Sequence, residues 1–231
     1  MKWAFIMYRT SACSRHGHPE VSFVFAERIP VPSLETILLD YFEGQVADGV
    51  RFAPGHNIDI GGSILRLFDR GDGTLGVRDV EPDGNVAEPE SVHRSLMRTW
   101  LRQEVARSYG LSPEFPSASA SALVCTATGA SRHALMLKRT SPSNARDSGW
   151  YIGCTDERHD HDDPGNLQAV ALVAIPEQFP WLDQFFALPV ATDLVVEMAA
   201  RVSVPVLWHP DPIEPIAGSY VASLNAAAAA R

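Results

Sequence analysis

The chain has 231 residues, of which 45% are hydrophobic and 20% are charged, and its formal net charge is −9. This length can bury a full hydrophobic core in one large domain or in two small ones. The negative charge argues against sequence-independent binding of nucleic acid, which requires a basic face, and it is compatible with a basic protein partner.

The cysteines and the first ten residues indicate a cellular compartment. Cys13, Cys125 and Cys154 are odd in number, widely spaced and without a C-x-x-C pair, so we expect no disulfide framework and a reducing environment. Residues 1–10 form too short an apolar run for a signal peptide, and no run of about eighteen apolar residues could span a membrane. We therefore expect a cytoplasmic protein without a membrane partner.

The first half of the chain predicts an α+β segment over residues 1–110. Its predicted elements are a strand at 21–28, a helix at 33–48, a hairpin with arms at 58–68 and 75–80, and a helix at 91–109. Ser33 is the expected N-cap of the first helix, because apolar residues recur three and four apart after it. Gly61 and Gly62 predict a bulge or a bend within the first hairpin arm.

The second predicted helix has a basic face. Its four arginines are Arg94, Arg98, Arg102 and Arg107. Such a face can bind phosphate or a membrane surface. In a chain this acidic, we predict instead that the arginines are solvated and pair with nearby acids.

The second half of the chain is rich in strands. Residues 111–121 combine prolines with small residues and predict a linker. The expected strands are 122–127, 134–139, 150–154, 167–175, 194–198 and 204–208, with a short helix at 176–187 that has Pro176 in its first turn. Residues 211–231 form a tail with little to bury, which we expect to fray. Together the patterns predict an α+β fold in two closely associated segments, 1–110 and 122–210, with antiparallel sheets covered by the two long helices.

Several motifs in the second half occur together in one order. They are Leu-Met-Leu-Lys-Arg at 135–139, Asp-Ser-Gly-Trp at 147–150, an acidic loop at 155–163, Asn-Leu-Gln-Ala-Val-Ala-Leu at 166–172 and Phe-Phe-Ala-Leu-Pro at 185–189. Over about residues 120–210 this series resembles the Imm33-like immunity domain. The resemblance implies a protein that binds and neutralises the toxin of a bacterial polymorphic toxin system. Its most specific residues, which we expect to maintain the fold, are Ser148, Gly149, Trp150, Leu188 and Pro189.

The acidic loop, residues 155–163, is the predicted contact with a protein partner. It follows an apolar run, so we expect a buried strand that ends at the surface. The proposed contact residues are Asp156, Glu157, His159, Asp160, His161, Asp162 and Asp163. A loop of this charge can steer a basic toxin domain and raise the association rate, and Trp150 and Tyr151 would be anchors if they were exposed. Alternatively, the loop only keeps the protein soluble and both aromatic residues belong to the core.

A metal site is the first chemical alternative. His159, Asp160 and His161 offer imidazole and carboxylate ligands, but their spacing matches no known zinc motif. A calcium loop starting at Asp160 fails as well, because its fifth and twelfth positions are Pro164 and Ala171. The Cys-Ser-Arg-His-Gly-His segment at 13–18 is equally incomplete. We therefore expect no metal and no cofactor.

Covalent catalysis is the second alternative. Cys154 and His159 would have to lie within hydrogen-bonding distance, and a cysteine at the end of an apolar run is usually a small buried hydrophobe. The chain has no G-x-S-x-G motif for serine chemistry. We expect no catalytic residues and a non-enzymatic binding protein. A metal-dependent hydrolase that uses the two histidines, and an interaction domain without a toxin partner, remain the competing hypotheses.

Overall fold

The computed structural model describes residues 6–25, 31, 34–80, 90–130, 134–156, 158–198 and 202–230. The chain divides into two compact units, Met1–Trp100 and Leu101–Arg231, each with its own sheet and hydrophobic core. The predicted α+β class is confirmed. Among the described residues, no helix is long and apolar enough to cross a membrane.

The first unit contains a five-stranded sheet in the order β1-β2-β5-β4-β3. Its elements are β1 (Ile6–Arg9), β2 (Val21–Phe25), α1 (Thr36–Ala47), β3 (Asn57–Ile60), β4 (Ser63–Asp69), β5 (Leu75–Asp79) and the first half of α2 (His93–Arg107), with a 3-10 helix at Cys13–His16. The predicted hairpin is the antiparallel pair β4–β5, whereas β2 and β5 are parallel. The expected N-cap Ser33 and residues 26–28 of the expected strand lie outside the described residues.

The glycine pair in the predicted hairpin arm makes a turn instead of a bulge. Gly61 and Gly62 both have positive φ, 59° and 75°, and Ile60 pairs directly with Ser63. Two left-handed residues between paired strands are the pattern of a type I′ turn. The expected single arm at 58–68 is therefore two strands, β3 and β4, folded back on each other.

The basic face of α2 is less solvated than predicted. Arg102 is only 3% exposed, and it forms a 2.6 Å ion pair with Asp183 and also donates to the Asp183 carbonyl. Arg107, in contrast, is an exposed residue that pairs with Glu104 one turn earlier. The interpretation as a solvated face is therefore wrong for Arg102, which belongs to the structure of the second unit.

The second unit contains a seven-stranded sheet in the order β12-β11-β10-β7-β8-β6-β9. Its strands are β6 (Ser121–Cys125), β7 (Ala134–Arg139), β8 (Asp147–Cys154), β9 (Leu167–Ala171), β10 (Thr192–Met198), β11 (Val202–Trp208) and β12 (Pro212–Ile213). Its helices are the second half of α2, the short α3 (Ile175–Gln178) and α4 (Tyr220–Ala229), with 3-10 helices at Thr128–Ala130, Pro164–Asn166, Leu172–Ala174 and Pro180–Phe185. All pairs are antiparallel except β6–β8, which is parallel.

The helix predicted at 176–187 is two shorter helices, α3 and the 3-10 helix at Pro180–Phe185. The break lies at Pro180, which has no backbone N–H to continue the helix.

The Ser-Gly-Trp step of β8 lies in the core of the second unit. Trp150 is 1% exposed, and its indole nitrogen donates to the Phe186 carbonyl at 3.1 Å. Beside it, the buried Arg139 guanidinium donates to the carbonyls of Leu188 and Glu114. Arg139, the last residue of β7, thereby connects the sheet to the Leu-Pro motif, in which Leu188 and Pro189 are both buried.

The C-terminal tail packs instead of fraying. Ser219 caps α4 through the N–H of Ala222, and Val221 is completely buried in the core. The amide of Asn225 both accepts from the N–H and donates to the carbonyl of Val204, each at 2.8 Å. The Asn225 side chain therefore bonds to β11 as the backbone of a neighbouring strand would. The alanine-rich composition of the tail did not indicate that it would pack.

Candidate functional site

The acidic loop crosses the seven-stranded sheet at one end of its strands. We call this end of the strands the edge of the sheet. It leaves the end of β8 and leads to the start of β9, and these two strands flank β6 on either side. Because β6 runs parallel to β8 and antiparallel to β9, the C-terminal end of β6 lies at the same edge as the loop. The register places Cys125, the last residue of β6, opposite Leu167, the first residue of β9. The topology thus brings Cys125 under the loop.

Two cysteines and two histidines meet at this edge. Their ligand atoms all lie within 4.8 Å of one another: Cys125, Cys154, His159 and His161. The Cys125 and Cys154 sulfurs are 3.8 Å apart. Cys125 Sγ lies 3.4 Å from His159 Nδ1, and Cys154 Sγ lies 3.1 Å from His161 Nε2. We call these four residues the Cys2His2 cluster.

The sequence pointed to only two members of this cluster, and no metal was expected there. His159 and His161 belong to it, whereas Asp160, the third residue weighed as a metal ligand, is exposed and accepts the backbone N–H of Asp162 at 3.0 Å. Cys125 was missed, because it precedes Cys154 by a whole strand and a connection. The one sequence signal was that both cysteines lie at or near the ends of predicted apolar strands, 122–127 and 150–154.

The described aspartates of the loop are exposed to solvent. Asp156, Asp160, Asp162 and Asp163 are all exposed, and Glu157 lies outside the described residues. Asp156 is partly neutralised, because the Arg158 guanidinium donates to both of its oxygens and holds the pKa of Asp156 below its ordinary value. Within the described part of the chain, the other three aspartates form no ion pair.

Short hydrogen bonds fix the path of the loop. Asp163 caps the following 3-10 helix by accepting the Gly165 N–H at 2.9 Å. The Asn166 side chain donates to the Asp160 carbonyl, also at 2.9 Å. Aspartate and asparagine commonly form such local turns. The loop therefore contains defined turns, although the hydrogen bonds that form them are local and exposed.

The cysteine–histidine pair weighed from the sequence, Cys154 and His159, is not the pair in contact. The imidazole that contacts Cys154 is His161, not His159. Burial raises the pKa of the Cys154 thiol; the Asp156 backbone N–H opposes this shift, whereas Cys125 and the Asp156 carboxylate add to it. Because the thiolate is the reactive form, a buried thiol with a raised pKa is a weak nucleophile.

The other histidine and cysteine segment is used within its own unit. Cys13 is fully buried. The two ring nitrogens of His18 contact backbone groups: Nε2 accepts the Phe52 N–H at 3.0 Å, and Nδ1 lies 2.6 Å from the Pro19 carbonyl. With both nitrogens in use, His18 is a structural residue.

Comparison with known proteins agrees with the motif series. Residues 101–204 match the Imm33-like domain family. The second unit thus contains the region that is similar to this family. The resemblance inferred from the motifs is confirmed, and the match begins within α2, earlier than expected, and includes the whole acidic loop and the Cys2His2 cluster. Neither the curated proteins nor the solved structures contain a match to this chain.

Proposed function

We propose that the protein neutralises a bacterial toxin by binding it directly, without catalysis. The match of residues 101–204 to the Imm33-like domain carries this proposal, because the family is of the immunity type. An immunity protein of this kind requires a protein partner and no substrate. The net charge of −9 favours a partner with a basic surface.

The acidic loop is the proposed electrostatic part of the contact. Asp160, Asp162 and Asp163 are exposed at one edge of the sheet. Charges of one sign on such an edge speed the encounter with an oppositely charged surface, and they do so less at high salt.

The face of the sheet beside the loop offers apolar contacts. Leu123 of β6 is 43% exposed, and the register pairs it with Tyr151 on β8 and with Ala169 on β9. Paired residues project from the same face of a sheet, so these three side chains are neighbours. Trp150 points to the other face and is buried, so Tyr151 is the aromatic residue available to a partner. An apolar centre beside a charged rim is the usual composition of a protein interface.

Co-expression with a toxin encoded beside this protein tests the function. The proposal predicts that cells survive the toxin when this protein is present and that the two proteins elute as one complex from size exclusion. Rescue should be lost when the partner is replaced by an unrelated toxin. Continued killing together with separate elution would contradict the proposal and favour an interaction domain without a toxin partner.

A further inference from the structure

We infer that Cys125, Cys154, His159 and His161 bind one zinc ion, which holds the acidic loop on the ends of β6 and β8. All four residues lie at one edge of the sheet, with their ligand atoms within 4.8 Å of one another. This site does not depend on the proposed function, because it concerns how the loop is held and not what the loop binds.

Three distances within the cluster are close to those of a tetrahedral zinc site. Zinc–sulfur bonds of about 2.3 Å at tetrahedral angles place two sulfurs about 3.8 Å apart. The observed separation of Cys125 Sγ and Cys154 Sγ is 3.8 Å. With zinc–nitrogen bonds of about 2.0 Å, sulfur and nitrogen ligands lie about 3.5 Å apart. The observed distances, 3.4 Å for the Cys125–His159 pair and 3.1 Å for the Cys154–His161 pair, are close to this value.

The ligand types favour zinc and a structural role. Thiolate together with imidazole suits zinc better than magnesium or calcium, which prefer oxygen ligands. Two thiolates and two neutral imidazoles balance the charge of Zn²⁺, which matters because both cysteines are buried. Four protein ligands also leave no position for water, whereas a catalytic zinc keeps one open. The site is therefore unsuited to the metal-dependent hydrolysis considered from the sequence.

Beyond the local hydrogen bonds that shape its turns, the described part of the loop has little else to hold it on the sheet. Between residues 155 and 163, none of the described side chains is fully buried, and its hydrogen bonds are local. Such a segment gains almost nothing from the hydrophobic effect, so it is not anchored by apolar burial. Among the described side chains of the loop, His159 and His161 contact the cysteines at the strand ends, and a shared metal ion would fix both there.

The direct test is the metal content of the full chain purified in reducing buffer without chelators. We expect about one zinc per chain, and native mass spectrometry should show that each zinc replaces the two thiol protons. X-ray absorption at the zinc edge should give two sulfur and two nitrogen neighbours, and cobalt substitution should give thiolate-to-cobalt charge transfer.

Matched variants distinguish the cluster from other cysteines and histidines. Cys154→Ser and His161→Ala should each lower zinc affinity by at least about 100-fold, since even outer-shell changes commonly cost 10- to 100-fold. Cys13→Ser and His56→Ala remove a cysteine and a histidine outside the cluster and should leave zinc content unchanged. If the ligand variants do not fold, the wild-type protein is measured with and without chelator. Hydrogen exchange should then increase at residues 155–163 on chelation and return when zinc is restored.

Three results would overturn the inference. The first is reduced wild-type protein that holds no zinc and takes up none from added Zn²⁺. The second is a disulfide between Cys125 and Cys154 in protein that is folded in reducing buffer. The third is zinc content that falls equally in the Cys13→Ser control. None of these results bears on toxin binding, so a failure here is separate from a failure of the proposed function.

Discussion

At the scale of single residues, Gly149 shows why the Ser-Gly-Trp step admits no side chain. Its φ is +75°, and a Cβ atom there would lie 2.0 Å from the Thr140 carbonyl oxygen. Gly218 is a matched control, with φ of +76° and no atom within 4 Å of an added Cβ. Gly218→Ala should lower the free energy of unfolding by about 1–2 kcal/mol, the cost of the left-handed backbone alone. Gly149→Ala should cost at least about 3 kcal/mol, because the backbone must also move.

Urea denaturation of both glycine variants measures this difference. Similar losses for Gly149→Ala and Gly218→Ala would show that the close approach to Thr140 is not what selects glycine in β8.

Glu20 makes the first unit sensitive to acid. Burial alone would raise the pKa of its carboxyl, but Thr10 and the backbone N–H groups of Ser14 and Cys13 outweigh burial and lower this pKa from 4.5 to about 2. A carboxyl with a lowered folded pKa stabilises the protein above its unfolded pKa, and this contribution is lost as the pH falls towards the folded pKa. Glu20→Gln should therefore cost about 3 kcal/mol at pH 7 and only about 1 kcal/mol at pH 3.

Unfolding by urea at these two pH values checks the prediction. Glu177→Gln, at an exposed position, should show no such change between the two pH values. A difference between wild type and Glu20→Gln that stays constant with pH would mean that the carboxyl is not held in its charged form.

At the scale of elements, the docking of α4 depends on Asn225. Its amide satisfies both the N–H and the carbonyl of Val204, so Asn225→Ala would leave both groups of β11 without this partner. We expect a loss of about 1–3 kcal/mol in the free energy of unfolding and faster hydrogen exchange in α4. Ser223→Ala, on the exposed side of the same helix, should change stability by less than about 0.5 kcal/mol. Equal effects of the two variants would show that the Asn225 hydrogen bonds do not stabilise the packing of α4.

Elements that follow from the spacing of apolar residues within one segment could be predicted. Features that depend on contacts between segments distant in the sequence could not. The apolar spacing predicted α1, and the strand pattern predicted the β4–β5 hairpin although not the turn between β3 and β4. The break at Pro180 and the packing of α4 depend on what the neighbouring elements offer. The Cys2His2 cluster depends on the parallel pairing of β6 with β8, which no local signal specifies.

At the scale of the whole molecule, the fold brings cysteines, histidines and aspartates together at one edge of the second unit's sheet. The second unit buries the Ser-Gly-Trp step in its core, and the strand that contains it ends at the acidic loop. The loop presents its histidines to the two buried cysteines and its aspartates to solvent. The strand therefore maintains the fold and ends in one proposed zinc ligand, Cys154, while the loop supplies two further ligands, His159 and His161, and the charged surface proposed for the partner.

The most direct test of the proposed contact is the affinity for a co-encoded toxin at low and high salt. Asp160→Asn, Asp162→Asn and Asp163→Asn together remove three charges while keeping groups that can cap turns. Asp40→Asn, Glu177→Gln and Asp211→Asn make the same change in net charge at other exposed positions. We predict that the loop variant binds at least about tenfold more weakly and loses most of its salt dependence, while the control variant keeps both. Unchanged affinity and an unchanged salt dependence in the loop variant would contradict the acidic loop as the contact.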